Sequence, residues 1–291
     1  MGTRIVGIRS ETGSVTVGDL SADGTTVRVL TGLAEFWSAP RTWLSDGAHG
    51  TVVPIDQVEL VPPVLPSARV LCIGLNYLDH VAEGSYADQE LPSHPTIFGR
   101  WPASLTVSGA EVPMPSDEDG LDWEGEVVAW VGSHLADVTP QKALAAVVGY
   151  SAFNDLTARR AQKRTSQWTI GKNADRSGPV GPLVPAGEVG DLRAGLRLET
   201  RVNGTVVQSA DTSQMIYSVG DTLSLISRTL TLRPGDLLAT GTPSGVGYAR
   251  TPSRLLQPGD VVEVEVDRLG TLRNRIVDGT VRTRRVTEPG R

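Results

Sequence analysis

Glycine and proline divide this chain into short segments, and that spacing constrains its fold more than any other feature. Gly occupies 32 positions and Pro 19 of the 291. They stand between short runs of β-branched residues, a spacing typical of an all-β or α+β protein. Alternating strands and helices, which would indicate a doubly wound parallel sheet, are not visible. We therefore expect a mainly β (α+β) protein with few long helices.

The composition favours a globular protein that binds a small molecule. Hydrophobic residues make up 39% of the chain, enough for a core, and no apolar run approaches the roughly 18 residues of a membrane span. A formal charge of −6 argues against nucleic acid as a partner. The single cysteine, Cys72, cannot form an internal disulfide. Because no signal-like apolar segment opens the chain, we expect a cytoplasmic protein without a membrane partner.

A proline-rich segment at residues 60–66 predicts the domain boundary. Pro62, Pro63 and Pro66 remove backbone donors there, so the segment cannot be regular helix or central sheet. Before it, short runs at residues 4–8, 15–17 and 26–30 predict a small β domain. We expect this domain and linker to cover residues 1–66 and a larger catalytic domain to cover residues 67–291.

A short helix near residues 76–83, three further helices and several strands are predicted beyond the linker. Thr139 and Pro140 are typical of a helix start, and this helix is expected to continue to Val148 and end at Gly149. Further helices are expected at residues 156–164 and 218–229. Strands are expected at residues 70–74, 237–240 and 261–266, the last two after Pro-Gly-Asp turns.

Three acids precede an apolar run at alternate positions. They are Asp122, Glu124 and Glu126, which would share one face of a strand. Neighbouring carboxylates repel one another, and burial without compensation would be costly. A hard cation such as Mg²⁺, Mn²⁺ or Ca²⁺ would relieve this conflict, because it prefers oxygen ligands. A solvated acidic edge strand explains the pattern equally well.

A second polar segment lies at the start of the helix predicted at residues 156–164. Asp155 fits a helix N-cap, and the local pattern favours that role over a metal ligand. Arg159 and Gln162 are three residues apart and could point together at an anionic substrate. Lys172 follows in a loop; it is one of only three lysines, beside Lys142 and Lys163, which hints that an ammonium group is needed there.

Two further segments could carry chemistry. His80 and Glu83 lie three residues apart on a short predicted helix, so the carboxylate can orient the imidazole as a general base. Taken alone, such a pair is most often surface decoration. The Gly-rich segment at residues 240–247 could hold a carboxylate through backbone N–H groups and Thr hydroxyls, or it could be a simple tight turn.

Together, in this order and spacing, these segments resemble the fumarylacetoacetate hydrolase superfamily. The resemblance covers residues 70–270, and the first 60 or so residues look like a variable N-terminal domain. It implies a mixed β-sandwich roll, usually a homodimer. The motifs that carry it are Gly74-Leu75-Asn76-Tyr77 with His80 and Glu83, Asp122-Trp123-Glu124-Gly125-Glu126, Asn154-Asp155 with Arg159 and Gln162, Gln167-Trp168 with Gly171-Lys172, Val202-Asn203-Gly204 with Gln208, and Pro234-Gly235-Asp236 with Thr240-Gly241-Thr242-Pro243 and Gly245-Val246-Gly247.

The resemblance also implies a role for each matching residue. His80 and Glu83 would form a catalytic dyad on a lid helix. Lys172 would stabilise an enolate. The family often has an acid at the position of Arg160 and Lys at that of Arg100, and both departures could alter which substrate fits. The implied metal ligands are Glu124, Glu126 and Asp155, and the implied substrate contacts are Arg159, Gln162, Gly241 and Thr242.

We expect from this resemblance a Mg²⁺-dependent hydrolase that cleaves a C–C bond in 2,4-dioxo acids such as acylpyruvates. The metal, for which Mn²⁺ or Ca²⁺ are alternatives, would bind the small-molecule 2-oxo acid, and His80 would activate water. The same enolate is reached by decarboxylation of an oxaloacetate-like acid or by hydroxymuconate-type isomerisation or hydration. A non-catalytic binder of 2-oxo acids and a metal-free structural β-roll remain alternatives.

Overall fold

The computed structural model describes residues 2–45, 50–83 and 94–279. This part of the chain is mostly β-sheet, as expected. In chain order its strands are β1 Ile5–Arg9, β2 Val15–Leu20, β3 Thr26–Gly32, β4 Val52–Pro54, β5 Glu59–Val61, β6 Val70–Gly74, β7 Thr96–Arg100, β8 Leu105–Val107, β9 Glu111–Met114, β10 Gly125–Val131, β11 Val147–Asn154, β12 Gly178–Val180, β13 Val184–Pro185, β14 Arg197–Val202, β15 Thr205–Asp211, β16 Leu237–Ala239, β17 Val261–Val266 and β18 Gly270–Asp278.

The helices of the described residues are short, because the turn residues leave little room between strands. In chain order they are α1 Leu33–Ser38, α2 Pro40–Ser45, α3 Leu78–Glu83, α4 Pro140–Ala145, α5 Arg159–Lys163, α6 Thr169–Lys172, α7 Ala186–Val189 and α8 Val219–Ser227. None of these helices is long and apolar enough to cross a membrane.

The strands form three sheets. The first, in the order β4-β3-β2-β1-β5, is antiparallel and contains only strands from before residue 62. The second runs β7-β6-β16-β10-β11-β12-β8, with β13 also paired to β11. The third runs β15-β14-β17-β18-β9. Both later sheets mix parallel and antiparallel pairs, in keeping with the mixed β-sandwich roll. The domain boundary after residue 66 stays a prediction.

Strand β10 lies at the centre of the fold and is buried on both faces. Val127 and Ala129 point into a core shared with the third sheet and α8. Val128 and Trp130 point to the opposite side, as the two-residue period of a strand requires. There the Trp130 ring stacks on Trp37 of α1 with 5.7 Å between centroids. The N-terminal sheet and the second sheet therefore share one hydrophobic core.

Several predicted boundaries are confirmed and two are wrong. Strands β6 and β17 span the expected residues 70–74 and 261–266. The predicted linker begins inside β5, an edge strand, where prolines are tolerated. The helix expected to reach Val148 ends at Ala145, because Val147 and Val148 open the buried strand β11. Their β-branched side chains suit a sheet better than a helix.

The helix expected at residues 156–164 is also shorter, and this overturns the local prediction for Asp155. The helix α5 begins at Arg159 and its N-cap residue is Ala158. Asp155 instead follows the last residue of β11 and is completely buried. An N-cap role for this carboxylate is therefore wrong.

Candidate metal centre and active-site cavity

The register of β10 against β11 places the predicted metal ligands on one face. The antiparallel pair matches Gly125 with Asn154, so one step further Glu124 stands opposite Asp155. The Asp155 N–H donates to the Glu124 carbonyl over 2.9 Å, which extends the ladder past the named strands. Glu126 lies two residues along β10 and points the same way. The three carboxyl groups each offer an oxygen within 4.8 Å of the others.

Buried cations accompany these acids. The Lys172 ammonium lies 2.6 Å from Glu124 Oε2 and 2.6 Å from Asp155 Oδ2. Arg159 Nη2 lies 2.6 Å from Glu124 Oε1. Glu126 enters no ion pair within the described ranges, and its Oε2 accepts the Gly241 N–H over 2.9 Å. Glu126 is therefore the predicted ligand that no cation of the described residues compensates.

The pKa values follow this unequal pairing. Burial raises the pKa of Glu124, but Lys172 and Arg159 outweigh burial and hold it at about 2. Burial also raises the pKa of Glu126, and here the charges of Asp155 and Glu124 raise it further, well above its usual range. Burial lowers the pKa of Lys172, but Asp155 and Glu124 reverse that effect and raise it overall.

The donor set fits a hard divalent cation. It consists of three buried carboxylates, and hard cations such as Mg²⁺ and Mn²⁺ take oxygen ligands of this kind. The buried Glu126, with no cationic partner in the described residues, is the group that an added positive charge would stabilise most. Glu124, Glu126 and Asp155 are thus the residues that would hold the ion. A solvated acidic edge strand is excluded, because β10 is an interior strand.

Arg100, one of the two departures from the family pattern, holds Asp155 in place. It lies at the end of β7, is 2% exposed, and its Nε donates to Asp155 Oδ1. Nη2 donates to the Leu156 and Ser177 carbonyls, and Nη1 to the Ser104 and Ser177 hydroxyls. Every N–H of the guanidinium therefore has an acceptor. The other departure, Arg160, is exposed and pairs with Asp119 at 3.3 Å.

Asp122 is a site residue that the sequence pattern contained but to which no role was given. It is completely buried and accepts from Arg159 Nε over 2.8 Å. It also accepts the backbone N–H of Gly247 over 2.7 Å and that of Tyr248 over 3.2 Å. Together with Glu124 it raises the pKa of Arg159, although burial opposes this. Through these hydrogen bonds Asp122 connects the Gly-rich loop to α5.

His80 and Glu83, the residues of the predicted dyad, are in contact; their catalytic role stays a prediction. His80 Nδ1 lies 2.8 Å from Glu83 Oε1 on α3. Glu83 Oε2 accepts the Gly245 N–H over 2.7 Å, which fixes the carboxylate against the loop. Gly245 has a φ of 100°, and a Cβ there would meet the Val207 carbonyl at 2.3 Å, so only glycine fits. Because Nδ1 is engaged, Nε2 is the ring nitrogen left for proton transfer.

A cavity of about 460 Å³ is lined by Glu124, Arg159, Lys172 and His80. We call the buried carboxylates of Asp122, Glu124, Glu126 and Asp155 the acidic floor; of these, Glu124 lines the cavity. Its rim consists of residues from short helices and loops: His80, Lys163, Thr165, Ser166, Trp168 and Tyr248.

Most, but not all, of the residues predicted to contact the substrate line the cavity. Arg159, Gln162, Lys172 and Thr242 line it. Thr242 Oγ1 donates to the Gly125 carbonyl over 3.0 Å, which joins the Gly-rich loop to β10. The described lining does not include Gly241, whose N–H holds Glu126. Substrate contact by these residues stays a prediction.

Sequence reasoning missed four rim residues, Lys163, Thr165, Ser166 and Tyr248. Lys163 and Tyr248 both line the cavity. For Lys163 a signal existed, since it is one of only three lysines in the chain. For Tyr248 there was none, because only the fold brings the loop after β16 against α5.

Comparisons with known proteins agree with this geometry. Residues 69–277 match the sequence model of the fumarylacetoacetate (FAA) hydrolase C-terminal family. The chain is 38% identical over 247 residues to the oxaloacetate tautomerase YisK of Bacillus subtilis, covering 84% of this chain and 80% of that protein.

Solved structures give the same result. The fumarylacetoacetate hydrolase of Exiguobacterium antarcticum superposes with a TM-score of 0.79 at 33% identity, covering 95% of this chain and 99% of that one. The fumarylpyruvate hydrolase of Pseudomonas aeruginosa, solved with Mn²⁺ and pyruvate, has a TM-score of 0.67 at 35% identity, covering 76% and 92%. The chain belongs to the fumarylacetoacetate hydrolase family and is an enzyme of that metal-dependent family.

Proposed function

We propose that this enzyme binds a 2-oxo acid at a divalent cation and forms its enolate. The observation that carries the proposal is the convergence of three buried carboxylates, one of which, Glu124, lines the same cavity as His80. When bound, the cation supplies Lewis-acid polarisation of the carboxylate and 2-oxo oxygens of the substrate.

Residues of the chain would transfer the proton, stabilise negative charge and exclude water. His80, oriented by Glu83 at 2.8 Å, takes the proton from C3 of the substrate or returns it. Lys172 and Arg159 line the cavity beside Glu124 and stabilise the negative charge that develops on the substrate oxygens. Phe98 and Trp168, whose ring centroids are 5.3 Å apart, form an apolar wall that limits access of water.

For the reaction we propose keto–enol tautomerisation of an oxaloacetate-like acid. The proton leaves C3 of the keto acid and another is taken up by the C2 oxygen, so no water is consumed. The similarity to the Bacillus subtilis tautomerase supports this choice over the hydrolase expected from the sequence. The His80–Glu83 dyad can perform this proton transfer without an additional group.

Hydrolysis of 2,4-dioxo acids is the second candidate. It is favoured by the same dyad, which can activate water, and by the similarity to the Pseudomonas aeruginosa fumarylpyruvate hydrolase. Water would add to C4, and cleavage of the C3–C4 bond would give a carboxylic acid and pyruvate. Decarboxylation and hydroxymuconate-type isomerisation or hydration use the same enolate and are further outcomes of the test.

The test is an assay with Mg²⁺ that separates these reactions by product. Enol oxaloacetate and acetylpyruvate are followed by the loss of their absorbance, and products are quantified by chromatography. We expect faster decay of enol oxaloacetate without pyruvate formation above the background. Pyruvate from acetylpyruvate would instead establish the hydrolase. If Mg²⁺-loaded protein accelerates neither reaction, nor decarboxylation nor isomerisation, the proposed enolate chemistry is wrong.

Three further properties are proposed with this function. Mg²⁺ is the proposed resident ion, although Mn²⁺ or Ca²⁺ would suit the same oxygen ligands. A homodimer is proposed from the family resemblance, and the cytoplasmic location expected in the sequence analysis is proposed beside it. Metal analysis of the purified protein, light scattering and imaging of a tagged chain would test them in turn.

A further inference from the structure

Lys163 is a cation at the cavity that the proposed mechanism does not use. It is the last residue of α5, it is exposed, and it lines the cavity. Its ammonium lies 3.2 Å from the centroid of the Tyr248 ring. Within the described ranges no carboxylate lies within ion-pair distance of Lys163. Its positive charge is therefore held in place but not neutralised.

The other two permanent cations that line the cavity differ in this respect. Lys172 contacts Glu124 and Asp155, and Arg159 contacts Asp122 and Glu124. Their charges are matched by the acidic floor. In the described part of the lining, Lys163 is thus the cation that an anionic group can approach without displacing a protein carboxylate.

Tyr248 fixes where this charge lies relative to the floor. Its backbone N–H is held by Asp122, and the Arg159 guanidinium carbon lies 5.7 Å from the centroid of its ring. The Tyr248 ring is therefore in contact range of both Arg159 and Lys163. A cation over an aromatic face is weakly stabilised there and keeps its remaining N–H donors for a ligand. Ser166 and Thr165, which also line this part of the rim, add hydroxyl groups.

We propose that Lys163 binds a second carboxylate of the substrate and so makes the enzyme select 2-oxo diacids over 2-oxo monoacids. The inference rests on the proposed function, because it assumes that the 2-oxo end of the substrate occupies the floor. The second carboxylate would extend past Arg159 along Tyr248 to the rim. Lys163 is a specificity residue in this account, and the chemistry takes place elsewhere in the cavity.

The test compares two acids that differ only in the distal carboxylate. 2-Oxoglutarate and 2-oxopentanoate have the same five-carbon chain, and their binding to the Mg²⁺-loaded protein is measured by calorimetry. We expect the wild type to bind the diacid about tenfold more tightly or better, the size of one charge-assisted hydrogen bond. In K163M this preference should fall to about one, and K163R should restore most of it.

Lys142 provides the matched control. It is the remaining lysine, lies exposed on α4, and does not line the cavity. K142M should keep the full preference for the diacid. Because Lys163 is exposed, K163M should fold normally, and a circular dichroism melt checks this.

The outcomes separate the inference from the function on which it rests. If the wild type binds both acids equally, or K163M keeps the preference for the diacid, the proposed function stands and the role of Lys163 is wrong. If K163M weakens both acids by the same factor, Lys163 supports the site as a whole and selects nothing. If neither acid binds the Mg²⁺-loaded protein, the proposed function itself fails and the inference with it.

Discussion

The acidic floor and the rim of the cavity are built in different ways. The floor is part of a β-ladder. Asp122, Glu124 and Asp155 lie on two paired segments of the chain and are buried by the sheets around them. The rim is made of short helices and loops, with His80 and Lys163 at least partly exposed. A ladder fixes the spacing of its side chains, whereas a rim residue can change without disturbing the core. In the proposed function, the floor holds the metal, and the rim contributes the base His80 and the selection of substrate.

The largest effect is expected from a rim residue that takes part in the chemistry. His80→Ala removes the proposed base and should lower kcat by about 10²- to 10⁴-fold, the usual contribution of general acid–base catalysis. Mg²⁺ affinity should not change, because His80 is not a ligand. Tautomerase assays and calorimetry on the same sample measure both. The exposed His134 gives the control His134→Ala, and equal rates for the two variants would remove His80 from the mechanism.

Asp122→Asn would break the connection between floor and rim. The change keeps the shape of the side chain but leaves Arg159, whose side chain is 12% exposed, with one carboxylate partner in place of two. We expect the free energy of unfolding to fall by about 3 kcal/mol, the lower end for disrupting a buried ion pair. Urea denaturation measures this. Asp119→Asn, which removes one of the two exposed carboxylate partners of Arg160, should cost less than about 1 kcal/mol. If the two variants lose the same free energy of unfolding, Asp122 does not connect the floor to the rim.

Glu126→Gln tests the floor without affecting the rim. The amide can still accept the Gly241 N–H but lacks the charge that a hard cation needs. Mg²⁺ affinity should fall about 100-fold. This is the upper end of the loss seen when a residue that only supports a metal ligand is changed, and loss of a ligand itself should cost no less. Calorimetric titration measures it, with the exposed Asp56→Asn as control. Unchanged affinity would reject Glu126 as a ligand.

Arg100→Lys is the mildest change to the floor. Lysine keeps the charge beside Asp155 but cannot reach all the acceptors that the guanidinium satisfies, so buried carbonyls lose their donors. We expect the free energy of unfolding to fall by about 2 kcal/mol, the cost of unsatisfied buried groups. Arg273→Lys, at an exposed pair with Glu263, should change it by less than about 1 kcal/mol. If the two variants are equally stable, Arg100 does not hold Asp155 in place.

The same contrast explains how much could be predicted from the sequence. Strand β6 and strand β17 were predicted to the residue because turn residues and β-branched runs mark their ends. The alternate spacing of Glu124 and Glu126 placed them on one face without knowledge of any partner strand. Local patterns of this kind depend only on residues that are close together in the sequence.

Features that depend on pairing between distant segments could not be read in this way. Asp155 looked like a helix cap, because nothing local shows that its segment continues a ladder opposite Glu124. The resemblance to a known family, and not periodicity, is what predicts that it is a metal ligand. Tyr248 and Lys163 meet only because a loop and a helix far apart in the chain fold together. Loops carry no period from which such a contact could be inferred.

The measurement that tests the central claim most directly is a crystal structure of the protein soaked with Mn²⁺ and oxalate. Mn²⁺ can be located by its anomalous scattering, and oxalate imitates the planar enolate of a 2-oxo acid. The account predicts one ion held by oxygens of Glu124, Glu126 and Asp155, with oxalate bound to it inside the cavity. An ion bound elsewhere, or full Mn²⁺ exposure with no ion between these carboxylates, would contradict it.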